Sequence, residues 1–80
     1  MYGLRLKHIR NVVAVAECGS LRAAARSLEI AQPVLTRSIQ DAGGILGASL
    51  FERTSKGVSL THAGSVFVQR AAVIQQELSR

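Results

Sequence analysis

Cysteine, proline and large aromatic side chains are scarce in this 80-residue chain, which has one Cys, one Pro, two Phe, one Tyr and no Trp. A single cysteine, Cys18, excludes an intrachain disulfide and a cysteine-based zinc site. It fits a reducing compartment, and the cytoplasm is the expected location. Cys18 itself is expected to be a small buried apolar residue, as free cysteines commonly are. With so few aromatics, an apolar content of 48% leaves a core of Leu, Ile, Val and Ala, and it argues against disorder. Long hydrophobic runs are missing too. No stretch approaches the roughly 18 apolar residues of a membrane span. Arg5, Lys7 and Arg10 ahead of Val12 to Ala16 imitate a signal peptide, but that run falls short of the roughly 7 to 15 apolar residues needed. A membrane is not an expected partner.

Acidic residues are also few. Five face ten Lys and Arg, a formal net charge of +5 with an isoelectric point near 10.8, which favours polyanions such as nucleic acid. The length allows one domain, which buries only about 60% of its unfolded surface, so a partner would help its stability. No catalytic constellation is visible. His8 and His62 are far apart, neither has an Asp or Cys at metal-ligand spacing, and there is no glycine-rich phosphate loop or nucleophile elbow. No enzyme, cofactor or metal site is expected. His62 reads as an exposed first-turn residue.

The pattern that is present begins with Leu6, Ile9, Val12, Val13 and Ala16 at helical spacing over residues 4–18, with Lys7, Arg10, Asn11 and Glu17 on the other side. Gly19 suits a helix end and Ser20 a following N-cap. A second helix over about residues 21–28 turns Leu21, Ala24, Ala25 and Leu28 inward, and Ile30 plugs the core beneath the turn. Pro33 suits the first turn of a third helix from Gln32 to about Leu46, with Leu35, Ile39, Ala42 and Leu46 inward and Gln32, Thr36, Arg37 and Gln40 outward. Gly47 ends it. Residues 51–54 and 58–61 read as short strands around Ser55-Lys56-Gly57, a hairpin. Thr61 then caps a last helix in which Ala63, Phe67, Ala71 (or Arg70), Ile74 and Leu78 keep nearly a heptad stripe. About 18 residues make a rod of roughly 27 Å, too long for so small a body to cover. The order is helix, helix, helix, strand, strand, helix: a mainly α winged helix-turn-helix.

In such a layout the second helix of the motif can lie in a DNA major groove about 12 Å wide. Gln32, Pro33, Thr36 and Arg37 sit at its N-terminal end, where side chains meet base edges, with Gln40 a turn further on. Arg37 can bond guanine in a bidentate way, Gln32 can pair with adenine, and Thr36 or Pro33 can touch a thymine methyl. Arg53, Thr54, Ser55 and Lys56 place the wing near phosphates or the minor groove. Arg22 and Arg26 are candidates for further phosphate contacts, although for Arg26 and for Arg5, Lys7 and Arg10 simple surface solvation is the preferred reading. Ser20 is expected to serve as both cap and phosphate contact. A rival reading keeps the fold but makes it a protein-interaction winged helix, for which Thr36, Arg37 and Lys56 are unnecessary.

From Leu6 to about Leu78 the chain resembles the N-terminal DNA-binding domain of LysR-type transcriptional regulators. The matching pieces include Gly19-Ser20-Leu21, Ala24-Ala25, Gln32-Pro33-Val34-Leu35-Thr36-Arg37, Leu46-Gly47, Leu50-Phe51-Glu52-Arg53 and Leu60-Thr61-His62-Ala63-Gly64. The resemblance implies a bacterial transcription regulator that binds double-stranded operator DNA, with the third helix in the major groove and the wing near the minor groove. It implies a homodimer through the last helix (Ala63, Phe67, Ala71, Ile74, Leu78). It divides the chain into a winged domain, residues 1–60, and a linker and dimerisation helix, 61–80. The C-terminal effector-binding domain of full-length relatives, the site for any small-molecule effector, is expected to be absent from this chain. The family pattern usually has Ser at Ala31, Leu at Ala42 and acidic residues at Gly43 and Gly44. These departures predict fraying in the C-terminal half of the third helix, with DNA contact surviving better than stability, and a higher melting temperature when Glu replaces both glycines.

Overall fold

The computed structural model describes residues 3–78; the outer ends of the two expected units, residues 1–2 and 79–80, lie outside that range. Six elements follow in order: α1 (Leu6–Cys18), α2 (Leu21–Leu28), α3 (Gln32–Leu46), β1 (Phe51–Thr54), β2 (Gly57–Leu60) and α4 (His62–Leu78). This is the expected winged helix-turn-helix.

Helix α1 starts two residues later than its apolar pattern suggested, because Arg5 takes an extended conformation as N-cap. His8 reinforces that start, its Nδ1 accepting the Arg5 backbone N–H at 2.9 Å. The buried face carries His8, Ile9, Asn11, Val12 and Val15. The expected face is therefore rotated: Leu6 is 62% exposed, while Asn11, assigned to the solvent side, is buried. The reason is positional. Leu6 opens the helix, whereas Asn11 lies four residues before Val15 on the line that meets α3. Cys18 also departs from expectation, being exposed at the last residue of α1, where the chain turns away toward α2.

Two apolar clusters hold the elements together. Val15, Ala24, Ala25 and Leu35 join α1, α2 and α3, with Leu21, Leu28 and Ile30 packed around them. Val12, Ala42 and Leu50 join α1, α3 and the approach to the wing, with Leu46, Ala63, Phe67 and Phe51 against them. Alanines at the α2 contact let the helices approach closely at little entropic cost. Helix α3 runs unbroken through Gly43 and Gly44 and ends at Gly47 in the left-handed conformation, so the expected fraying is not seen. Buried Leu35 and Ala42 before the glycines and half-buried Leu46 after them anchor the helix on the core.

Strands β1 and β2 pair antiparallel, Phe51 with Leu60 and Thr54 with Gly57. The connection is thus a two-residue Ser55-Lys56 turn, and Gly57 opens β2 instead of sitting in the turn. Gly57 has φ +135°, and an added Cβ would lie 2.5 Å from the Gly19 carbonyl oxygen. That carbonyl accepts the Val58 N–H at 3.3 Å, which ties the wing to the α1–α2 corner. Thr61 Oγ1 accepts the Gly64 N–H at 3.0 Å, as an N-cap does, and donates to the Ser49 carbonyl at 2.6 Å.

Candidate nucleic-acid interface

The motif is built from α2, a tight turn and α3. Ser20 caps α2 by accepting the Ala23 N–H at 3.2 Å, a bond that does not use the hydroxyl's own O–H donor. After Leu28 the chain reverses through Glu29, which adopts φ 59°. Ile30 then donates its N–H to the Ala25 carbonyl at 3.1 Å. Ala31 precedes α3 without a side-chain cap, but its carbonyl accepts from Val34 and Leu35 at 3.0 and 3.2 Å, and Pro33 fits the first turn.

This start fixes what α3 shows to solvent. Gln32, Pro33, Thr36, Arg37 and Gln40 line one shallow depression over the N-terminal half of the helix. Four of them are exposed and Thr36 is half-buried. Pro33, Arg37, Gln40 and, one turn further on, Gly44 follow steps of four, three and four along the open side, opposite the inward line of Leu35, Ala42 and Leu46. A second groove runs between α3 and the wing, bordered by Thr36, Gln40 and Gly44 on one side and Phe51 and Arg53 on the other. Lys56 and Thr54 are exposed at the wing tip, where Thr54 Oγ1 braces the turn by accepting the Lys56 N–H at 3.2 Å. Arg22 and Arg26 are exposed on α2.

The structure therefore gathers Gln32, Pro33, Thr36, Arg37 and Gln40 on one surface and sets Arg53 across a groove from them. Of the α4 residues expected at a dimer contact, Ala71 is buried within the chain, and Ala63 and Phe67 pack on its core. Ile74 and Leu78 are 43% and 61% exposed. Sequence reasoning overlooked Val34, 57% exposed beside Pro33; its signal was an apolar residue off the Leu35, Ile39, Ala42, Leu46 line. It also missed the buried Ser38, which lies on that stripe between Leu35 and Ala42. Among the described residues, no cluster of His, Cys, Asp and Glu could hold a metal ion, and no helix is long and apolar enough to cross a membrane.

A basic three-helix body with an outward helix N-terminus and a hairpin beside it defines the class, a winged helix-turn-helix protein. A family model described as bacterial regulatory helix-turn-helix protein, lysR family, matches residues 6–65, and the chain belongs to that family. It is 43% identical over 81 residues to the HTH-type transcriptional regulator TfdT of Cupriavidus pinatubonensis, covering 96% of this chain and 36% of that protein. It is 48% identical over 68 residues to the regulator ClcR of Pseudomonas putida, covering 85% and 23%. The chain thus spans only about a quarter to a third of these curated relatives. Among solved structures, the CbnR DBD–DNA complex superposes with a TM-score of 0.91 at 36% identity, covering 96% of this chain and 88% of that one. The BenM DBD in complex with catB site 1 DNA gives 0.91 at 41% identity, covering 95% and 85%.

Proposed function

We propose that this chain binds double-stranded DNA with sequence specificity, as the DNA-binding part of a LysR-type transcription regulator. The observation that carries this reading is the single open surface formed by Gln32, Pro33, Thr36, Arg37 and Gln40 at the start of α3. In the major groove these side chains reach base edges: Arg37 serves guanine O6 and N7, Gln32 adenine, and Pro33 or Thr36 a thymine methyl. Arg53, Thr54 and Lys56 bring the wing to the backbone or the adjacent minor groove, while Ser20 and Arg22 hold phosphates beside the N-terminus of α2. A net charge of +5 supplies the sequence-independent attraction. The cytoplasm is the compartment that such a regulator occupies.

Residues 1–60 form the reading domain and 61–80 the linker and dimerisation helix. The dimer is supported by the apolar surface that α4 leaves uncovered, at Val66, Val73, Ile74 and Leu78. Ile74 and Leu78 are the expected contacts that lie on it. Ala63, Phe67 and Ala71 support it from beneath.

Selection of bound sites from random duplex DNA tests both parts of the reading. The expected product is an enriched motif of two inverted half-sites, since a two-fold dimer selects a near-palindrome. Recovery of unenriched sequence would overturn the assignment of α3 as a reader.

A further inference from the structure

The packed centre between α1 and α3 contains a polar pair that the apolar pattern does not explain. Asn11 Nδ2 donates to Ser38 Oγ at 2.9 Å, joining two helices across 27 residues, and both side chains are buried, 3% and 8% exposed. Apolar residues flank the pair on each helix: Val12 and Val15 beside Asn11, Leu35 and Ala42 beside Ser38. At its outer edge Arg10 Nε donates to Asn11 Oδ1 at 3.4 Å. A guanidinium can only donate, so this contact orients the amide with its oxygen toward Arg10 and its NH2 toward Ser38.

From this geometry we infer that Asn11 and Ser38 are positioning residues that fix the rotation of α3 about its own axis, and so decide which side chains meet the bases. The inference rests on the reading of α3 as the helix that enters the major groove. Burial of the apolar stripe of α3, Leu35, Ile39, Ala42 and Leu46, favours contact with α1 and α2 but is non-directional and names no partner atom. A hydrogen bond is directional, and the only side chain on the buried stripe of α3 that can make one is Ser38, adjacent to Arg37. At a side-chain radius of about 5 to 6 Å, a rotation of about 20° carries a tip sideways by about 2 Å, well beyond the spread of good donor–acceptor distances. Bidentate contact by Arg37 would fail, whereas attraction to phosphates would persist.

Three forms of the 80-residue chain test this: the wild type, Ser38→Thr, which keeps the hydroxyl, and the double variant Asn11→Leu/Ser38→Ala, which removes both partners and leaves neither group unpaired. Each is titrated against the selected duplex and a scrambled duplex at several salt concentrations. The double variant is expected to keep its helical circular dichroism, its affinity for the scrambled duplex and its salt slope, while its preference for the selected site falls by about tenfold. Ser38→Thr is expected to keep that preference. Undiminished preference in the double variant overturns the inference. Should the double variant not fold, Ser38→Cys, a near-isosteric and weaker acceptor, takes its place: a reduced preference supports the inference and an undiminished one overturns it. A wild-type chain with no preference at all would overturn the reading of α3 itself.

Discussion

Gly64 lies where the first turn of α4 crosses the chain leading into the wing. The Leu50 carbonyl, which accepts the Thr61 N–H at 3.1 Å, occupies the space that a side chain at residue 64 would need. An added methyl must displace the backbone carbonyl of the buried Leu50 and crowd the Leu60 side chain. Gly64→Ala is therefore expected to destabilise the chain by about 1 to 3 kcal/mol. Thermal unfolding checks this, at about 4 to 8 °C of melting temperature per kcal/mol for a domain of this size. The sequence marked Gly64 as part of a helix start, but the carbonyl it must clear belongs to Leu50, fourteen positions away, and local pattern carries no trace of such an approach. Cys18 is a similar case. Composition favours burying a free thiol, yet its place at the end of α1 leaves it in solvent.

At the scale of elements, the two glycines of α3 separate. Gly44 faces open space, with nothing within 4 Å of an added Cβ, whereas a Cβ at Gly43 would lie 2.9 Å from the Ala48 carbonyl oxygen. Interior glycine costs a helix about 0.8 to 1.0 kcal/mol relative to alanine. Gly44→Ala should recover most of that and raise the melting temperature, while Gly43→Ala should help less because the loop after α3 must yield. Equal stabilisation at both positions would contradict the close approach of Ala48. The sequence-based expectation treated the pair alike, and the structure divides it. Pattern made most elements legible: the stripe Leu35, Ile39, Ala42, Leu46, the alanines of α2 and the Ser20 and Thr61 caps lie where spacing put them, and the hairpin forms one residue tighter than expected, with Gly57 in β2. Periodicity failed at Asn11 and Ser38, because a buried polar side chain is legible only through its partner, 27 residues distant. The candidate reading residues were legible for the opposite reason. A polar, proline-led helix start following a short alanine-rich helix is a local pattern.

In the molecule as a whole, two elements divide the work of meeting DNA. In the function proposed above, helix α3 supplies the residues that distinguish bases, chiefly Arg37. The wing supplies charge, chiefly Lys56, exposed at the turn between β1 and β2. Both belong to a small basic body, and in the proposed dimer, closed through α4, the pairing of two such bodies would set the spacing of half-sites. The most direct test is a single set of salt-dependent titrations of the wild type, Arg37→Ala and Lys56→Ala against a selected and a scrambled duplex. Arg37→Ala is expected to weaken binding to the selected site by about 1 to 3 kcal/mol and to the scrambled one little. Lys56→Ala is expected to weaken both duplexes alike and to lower the log–log salt slope by about 0.9 for each phosphate it no longer neutralises. Equal weakening by both substitutions on both duplexes would contradict the division between a reading helix and a charged wing.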